Sequence, residues 1–79
     1  MMTPEQCRAA RALLAWSQQQ LADSAKVGIV TVRHFEAGSS EPRSATLQVL
    51  CLALEAAGVV FLADGELAEG GPGVRLRKG

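Results

Sequence analysis

A chain of 79 residues has room for one domain, and at that length the core is marginal without a partner. A hydrophobic share of 48% with 20% charged residues is ordinary globular composition and excludes a disordered or collagen-like chain. The 8 basic and 8 acidic residues balance to zero formal charge, which argues against coating nucleic acid by bulk charge but leaves room for a local basic surface.

No apolar run approaches the roughly 18 residues of a membrane span, and Met1-Met2-Thr3-Pro4-Glu5 lacks a signal-peptide core. A cytoplasmic chain without a membrane partner is expected. Cys7 and Cys51 are the only cysteines, no CxxC is present, and His34 is the only imidazole. Structural zinc needs about four ligands at tight spacing, so neither a metal nor another cofactor is expected. In a reducing compartment both thiols read as small buried apolar groups.

Thr3, Pro4 and Gln6 form a Thr-x-x-Gln capping box with proline at the first helical position, which opens a helix. Cys7, Ala10, Arg11 and Leu14 share its inward stripe, with Leu13 beside it. A buried, unpaired arginine is destabilising by several kcal/mol, so Arg11 requires a carboxylate partner. The helix ends near Trp16, a packing residue at a helix end in preference to a stacking platform. Ser17 to Gln20 repeat the capping box as Ser-x-x-Gln and start a second helix that turns Leu21, Ala22 and Ala25 inward and stops near Ala25 or Lys26. Val27 and Gly28 make a short turn. A third helix from Ile29 to Ala37 buries Val32 and Phe35, and Gly38 closes it in the left-handed conformation. After the loop Ser39-Ser40-Glu41-Pro42, Ser44 is expected to cap a fourth helix with Leu47, Leu50, Cys51 and Leu54 inward, ending at Gly58.

The tail changes period. Val59-Val60-Phe61-Leu62 is a β-branched and aromatic run, and Val74-Arg75-Leu76-Arg77 alternates apolar and basic. Between them, four glycines and Pro72 in residues 64–73 are loop chemistry; Gly70-Gly71-Pro72-Gly73 has no following Lys-Ser/Thr and reads as a turn, not a phosphate loop. An isolated hairpin is marginal and its edges invite another chain. A homodimer through Val59, Val60, Phe61, Leu62, Val74 and Leu76 is therefore expected.

Two short helices joined by a tight turn form a helix-turn-helix. The pattern Ser17-Gln18-x-x-Leu21-Ala22-x-x-Ala25-x-Val27, then Thr31-Val32-x-x-Phe35-Glu36-x-Gly38, then Pro42 and a Leu47-bearing helix, resembles the Cro/C1-type (XRE) family over roughly residues 8–57. The resemblance implies a mainly α, four- to five-helix domain like that of lambda repressor over residues 1–58; residues 59–79 form the β extension that the edge argument above assigns to dimerisation. It also implies a recognition helix from Ile29 to Ala37 in the major groove, with Ile29, Val30, Arg33 and His34 toward bases. Ser17, Gln18, Thr31 and Arg43 correspond to phosphate-contacting positions. Arg11 corresponds to the family's structural partner for Glu36. The chain departs from the pattern in carrying Gly28 where a serine or threonine cap is usual, and in opening the recognition helix with Ile29 and Val30, which can meet thymine methyls but cannot hydrogen-bond a base edge.

For His34, a base or phosphate contact and a bystander role both stand. Gln19 reads as solvated. Arg75, Arg77 and Lys78 read as a solvated strand face, with supplementary phosphate contact as the second reading. The expected partner is duplex DNA, bound by a homodimer at an inverted repeat, in a repressor or dual regulator. The alternative is a protein-interaction module, an antitoxin or anti-activator on the same scaffold, favoured by the apolar Ile29-Val30 face and zero net charge. No carboxylate pair, nucleophile or ligand-sensing domain supports an enzyme or a small-molecule ligand.

Overall fold

The computed structural model describes residues 2–66 and 69–77. Four helices, α1 (Pro4–Leu14), α2 (Gln18–Ala25), α3 (Ile29–Ala37) and α4 (Ser44–Ala56), are followed by strands β1 (Val59–Leu62) and β2 (Gly73–Leu76). The first two helices start where reciprocal caps satisfy otherwise orphaned N–H groups. Thr3 Oγ1 accepts from the Gln6 amide N–H at 3.1 Å, and the Thr3 N–H donates to Gln6 Oε1 at 2.9 Å. Ser17 and Gln20 exchange the same pair of bonds at 3.0 and 2.7 Å. Both helices end on left-handed residues that are not glycine, Ala15 at φ 56° and Lys26 at φ 59°, whereas α3 ends on Gly38 at φ 73°.

The fourth helix corrects the expected cap. Arg43, not Ser44, is its N-cap, because the first helical bond runs from the Leu47 N–H to the Arg43 carbonyl at 3.0 Å. Ser44 is already helical, and its start is stabilised by no side-chain capping bond. The helix ends at Ala56, with Ala57 as its C-cap, one residue before Gly58.

Every element except β2 contributes to the core of Met2, Cys7, Ala10, Leu21, Ala22, Val32, Phe35, Leu50, Leu54 and Val59. Cys7 is fully buried, but Cys51 is only half-buried, a correction to the expectation that both thiols are enclosed. Leu14, Ala25 and Leu47 likewise pack against the core without being sealed in it.

The strands pair antiparallel with Val59 opposite Leu76 and Leu62 opposite Gly73, so β2 begins one residue earlier than its alternating pattern suggests. The hairpin is tied to α1 through one side chain. Nearly buried Gln6 donates from Nε2 to the Leu62 carbonyl at 3.1 Å and the Gly73 carbonyl at 2.9 Å. The same amide therefore caps α1 with its oxygen and grips both strands with its nitrogen. Nothing in the local sequence signals the second task.

Candidate nucleic-acid interface

Between α2 and α3 the chain turns in three residues, Lys26, Val27 and Gly28. Lys26 takes the left-handed cap, the Val27 N–H returns to the Ala22 carbonyl at 3.0 Å, and the Val27 side chain packs on the core. This closes the corner without a glycine at the helix end and sets the direction of α3. On α3, Val32, Phe35 and Glu36 are buried. Val30, Arg33, His34 and Ala37 are exposed. Those four positions follow i, i+3, i+4 and i+7, so they form one continuous stripe opposite the buried face.

Two of the candidate base-reading residues separate here. Val30 is 54% exposed, while Ile29 is half-buried and packs against the core. Thr31 is half-buried at the flank, and Ser17 and Arg43 are exposed at the N-termini of α2 and α4.

Behind the stripe lies a polar cluster centred on Glu36, whose side chain is 2% exposed. Arg11 grips it with a fork, Nη2 to Oε1 at 2.6 Å and Nε to Oε2 at 2.7 Å. This is the strong bidentate form of an arginine–carboxylate bond. Gln18 Nε2 donates to Oε1 at 3.0 Å and the Cys7 thiol to Oε2 at 3.1 Å. Arg8 Nη1 donates to the Glu36 backbone carbonyl, and Arg11 Nη1 to the Trp16 carbonyl at 3.0 Å. One carboxylate thus joins α1, α2 and α3.

Burial by itself raises the Glu36 pKa, but the hydrogen bonds from Arg11, Cys7 and Gln18 outweigh it and hold the group below its usual value. The bond to Glu36 raises the Arg11 pKa, so both partners stay charged. Burial, followed by the bond and charge of Glu36, pushes the Cys7 thiol far above its ordinary range. Cys7 is consequently a hydrogen-bond donor here and not a nucleophile.

The sequence pattern points Gln18 toward a phosphate and signals no polar role for Arg8 or Cys7. Glu36 takes one of the two Nε2 hydrogens of Gln18, leaving the other free to point outward. Cys7 lies four residues before Arg11 on the same buried stripe, a spacing from which its contact with the carboxylate could have been read. Arg8 carried no such signal.

The family model for the helix-turn-helix matches residues 8–57. The chain belongs to the Cro/C1-type helix-turn-helix family. This makes it a DNA-binding regulator in general character. No curated protein matches it. The matched span contains α2, the turn, α3 and nearly all of the Glu36 cluster, with Cys7 just outside it. No helix among the described residues is long and apolar enough to cross a membrane, and no group of three His, Cys, Asp or Glu side chains among them could hold a metal ion. Arg75 and Arg77 are exposed, with Arg77 Nη2 donating to the Glu55 carbonyl at 3.4 Å; Lys78 lies outside the described residues.

Proposed function

We propose that this helix-turn-helix protein is a sequence-specific transcriptional regulator that inserts α3 into the major groove, two copies binding an inverted repeat. The observation that carries the reading is the exposed Val30–Arg33–His34–Ala37 stripe on a helix whose opposite face is bolted to α1 and α2 through Glu36. A helix of about 10–12 Å diameter fits a groove about 12 Å wide, provided nothing beside it blocks entry. Arg33 then reads a guanine through O6 and N7, and His34 lies beside it. Gln18 and Ser17 present the N-terminus of α2 to one phosphate, Thr31 flanks the groove, and Arg43 adds its charge to the positive end of α4 at a second phosphate. With zero net charge overall, affinity rests on these few cations.

Two-fold symmetry would set the recognition helices about 34 Å apart. The unpaired edges of the hairpin and exposed Leu76 supply a surface for the second copy, with Val59, Val60, Phe61, Leu62 and Val74 behind it. The test is selection of bound duplexes from a random pool, followed by gel-shift titration over a range of salt. An enriched palindrome, an affinity that falls with salt at a slope set by the few phosphates neutralised, and about a tenfold or greater loss for Arg33→Ala are expected. Unchanged affinity for Arg33→Ala and Gln18→Ala would count decisively against this interface. Sedimentation at micromolar concentration reads the dimer, and a monomer in both free and bound states would remove it.

In the alternative reading α3 docks on a protein, as in an antitoxin or anti-activator; of the Ile29-Val30 face that favours it only Val30 is exposed, since Ile29 is half-buried. That reading predicts no enrichment from the pool and no salt-sensitive shift.

A further inference from the structure

Besides the small Ala37 at its far end, the exposed stripe of α3 carries one larger apolar side chain that no hydrogen-bonded readout uses. Val30 is 54% exposed, in the first turn of the helix, while its apolar neighbour Ile29 is drawn into the core. Within the stripe, Val30 is bordered by Arg33 at i+3 and His34 at i+4, so its apolar surface is one side chain wide and flanked by polar groups. A patch that small does not make a protein-docking face. It matches in size and chemistry one feature of the major groove, the methyl group on C5 of thymine.

We infer that Val30 is a specificity-determining residue that reads a pyrimidine C5-methyl group next to the guanine bound by Arg33. The inference rests on the DNA-binding reading above and adds to it the chemical class of the site recognised. Side chains three residues apart on a helix face stand about 5–6 Å from each other, and base pairs stack about 3.4 Å apart, so the methyl lies one or two steps from the guanine. An isopropyl group has no donor or acceptor. It cannot sense whether the ring beneath the methyl is thymine or cytosine, since these differ at position 4 by an oxygen acceptor against an amino donor. A cytosine methylated at C5 therefore satisfies Val30 as thymine does, and binding becomes responsive to cytosine-5 methylation at that position.

The experiment uses the full chain and the duplex enriched from the random pool. Each thymine of the half-site is replaced in turn by deoxyuridine, which keeps the pairing edge and removes only the methyl. At the responsive position, cytosine and 5-methylcytosine, each opposite guanine, are then compared. Burying one methyl group corresponds to about a fourfold change in affinity. Wild type is expected to lose about that factor with deoxyuridine and to prefer 5-methylcytosine over cytosine by a similar factor. Val30→Ser should bind all members of each pair alike, while Val30→Ile should keep the discrimination; the position is exposed, so both variants fold, which circular dichroism checks. Indifference of wild type to deoxyuridine at every thymine, with Arg33→Ala still impaired, overturns the inference and leaves the DNA-binding reading standing. Discrimination that persists in Val30→Ser also overturns it, and failure to enrich any sequence removes both.

Discussion

Replacing Glu36 by glutamine removes one charge and leaves the volume nearly unchanged. In the native structure that carboxylate accepts four hydrogen bonds, two of them from the Arg11 fork at 2.6 and 2.7 Å. The Glu36→Gln amide presents one oxygen and turns an NH2 group toward donors on the other side, so at least one of Arg11 Nε, Gln18 Nε2 and Cys7 Sγ faces another donor. Breaking a buried ion pair typically costs about 3–5 kcal/mol. The Arg11 side chain retains 18% exposure, so water recovers part of the loss, and about 2–4 kcal/mol remains. A domain of this size holds on the order of 5 kcal/mol in total, so the variant should sit near the edge of folding, with a Tm lower by about 10–20 °C.

The assay is urea unfolding followed by circular dichroism and by Trp16, the single tryptophan, whose carbonyl accepts from Arg11. Because Glu36 has a lowered folded-state pKa, its contribution is present in full above its ordinary value of 4.5 and is lost as pH falls through the folded value. Wild type should therefore weaken in acid more steeply than Glu36→Gln, and the gap between them should close. A gap at neutral pH below about 1 kcal/mol, the range of an exposed pair, would refute the view that this cluster anchors α3. So would a gap that does not change with pH.

Gln6→Ala removes half of a capping box and two bonds to strand carbonyls, a loss of about 2–3 kcal/mol. Gln6→Glu keeps the acceptor for Thr3 but cannot donate to Leu62 and Gly73, so hydrogen exchange in β1 and β2 should quicken while α1 stays protected. Ala15→Gly relieves a left-handed alanine, and after the extra freedom of the unfolded chain is subtracted the net gain is about 0.5 kcal/mol, visible as a small rise in Tm. A thiol reagent at mildly alkaline pH should label Cys51 in the folded protein and Cys7 only on adding denaturant, since Cys7 is sealed and its pKa is pushed far up; two equal rates would contradict this.

Short-range chemistry carried most of the fold. Thr3-Pro4-x-Gln6 and Ser17-x-x-Gln20 state two helix starts within four residues, Gly38 states an end, and the apolar spacing of Val32 and Phe35 gives the buried side of α3. The same locality explains the miss at Ser44. A serine before an apolar stripe looks like a cap, but the residue whose carbonyl takes the first helical bond depends on how the preceding loop is held, and that residue is Arg43. Grouping Ile29 with Val30 as outward residues overlooks their phase. Ile29 stands three residues before Val32 and seven before Glu36, on the flank of the buried face, so it packs against the core, whereas Val30 stands on the opposite side and stays exposed.

By itself, then, the order of residues determined where the helices run, which faces they bury and the tight corner between α2 and α3, because each depends on neighbours a few positions away. Tertiary structure decided what meets across the chain. Gln6 reaches carbonyls 56 and 67 residues distant, and Glu36 gathers donors from two other helices. Such contacts exist only once the whole core has closed, since an amide or carboxylate finds its partners through the packing of the apolar surface around it.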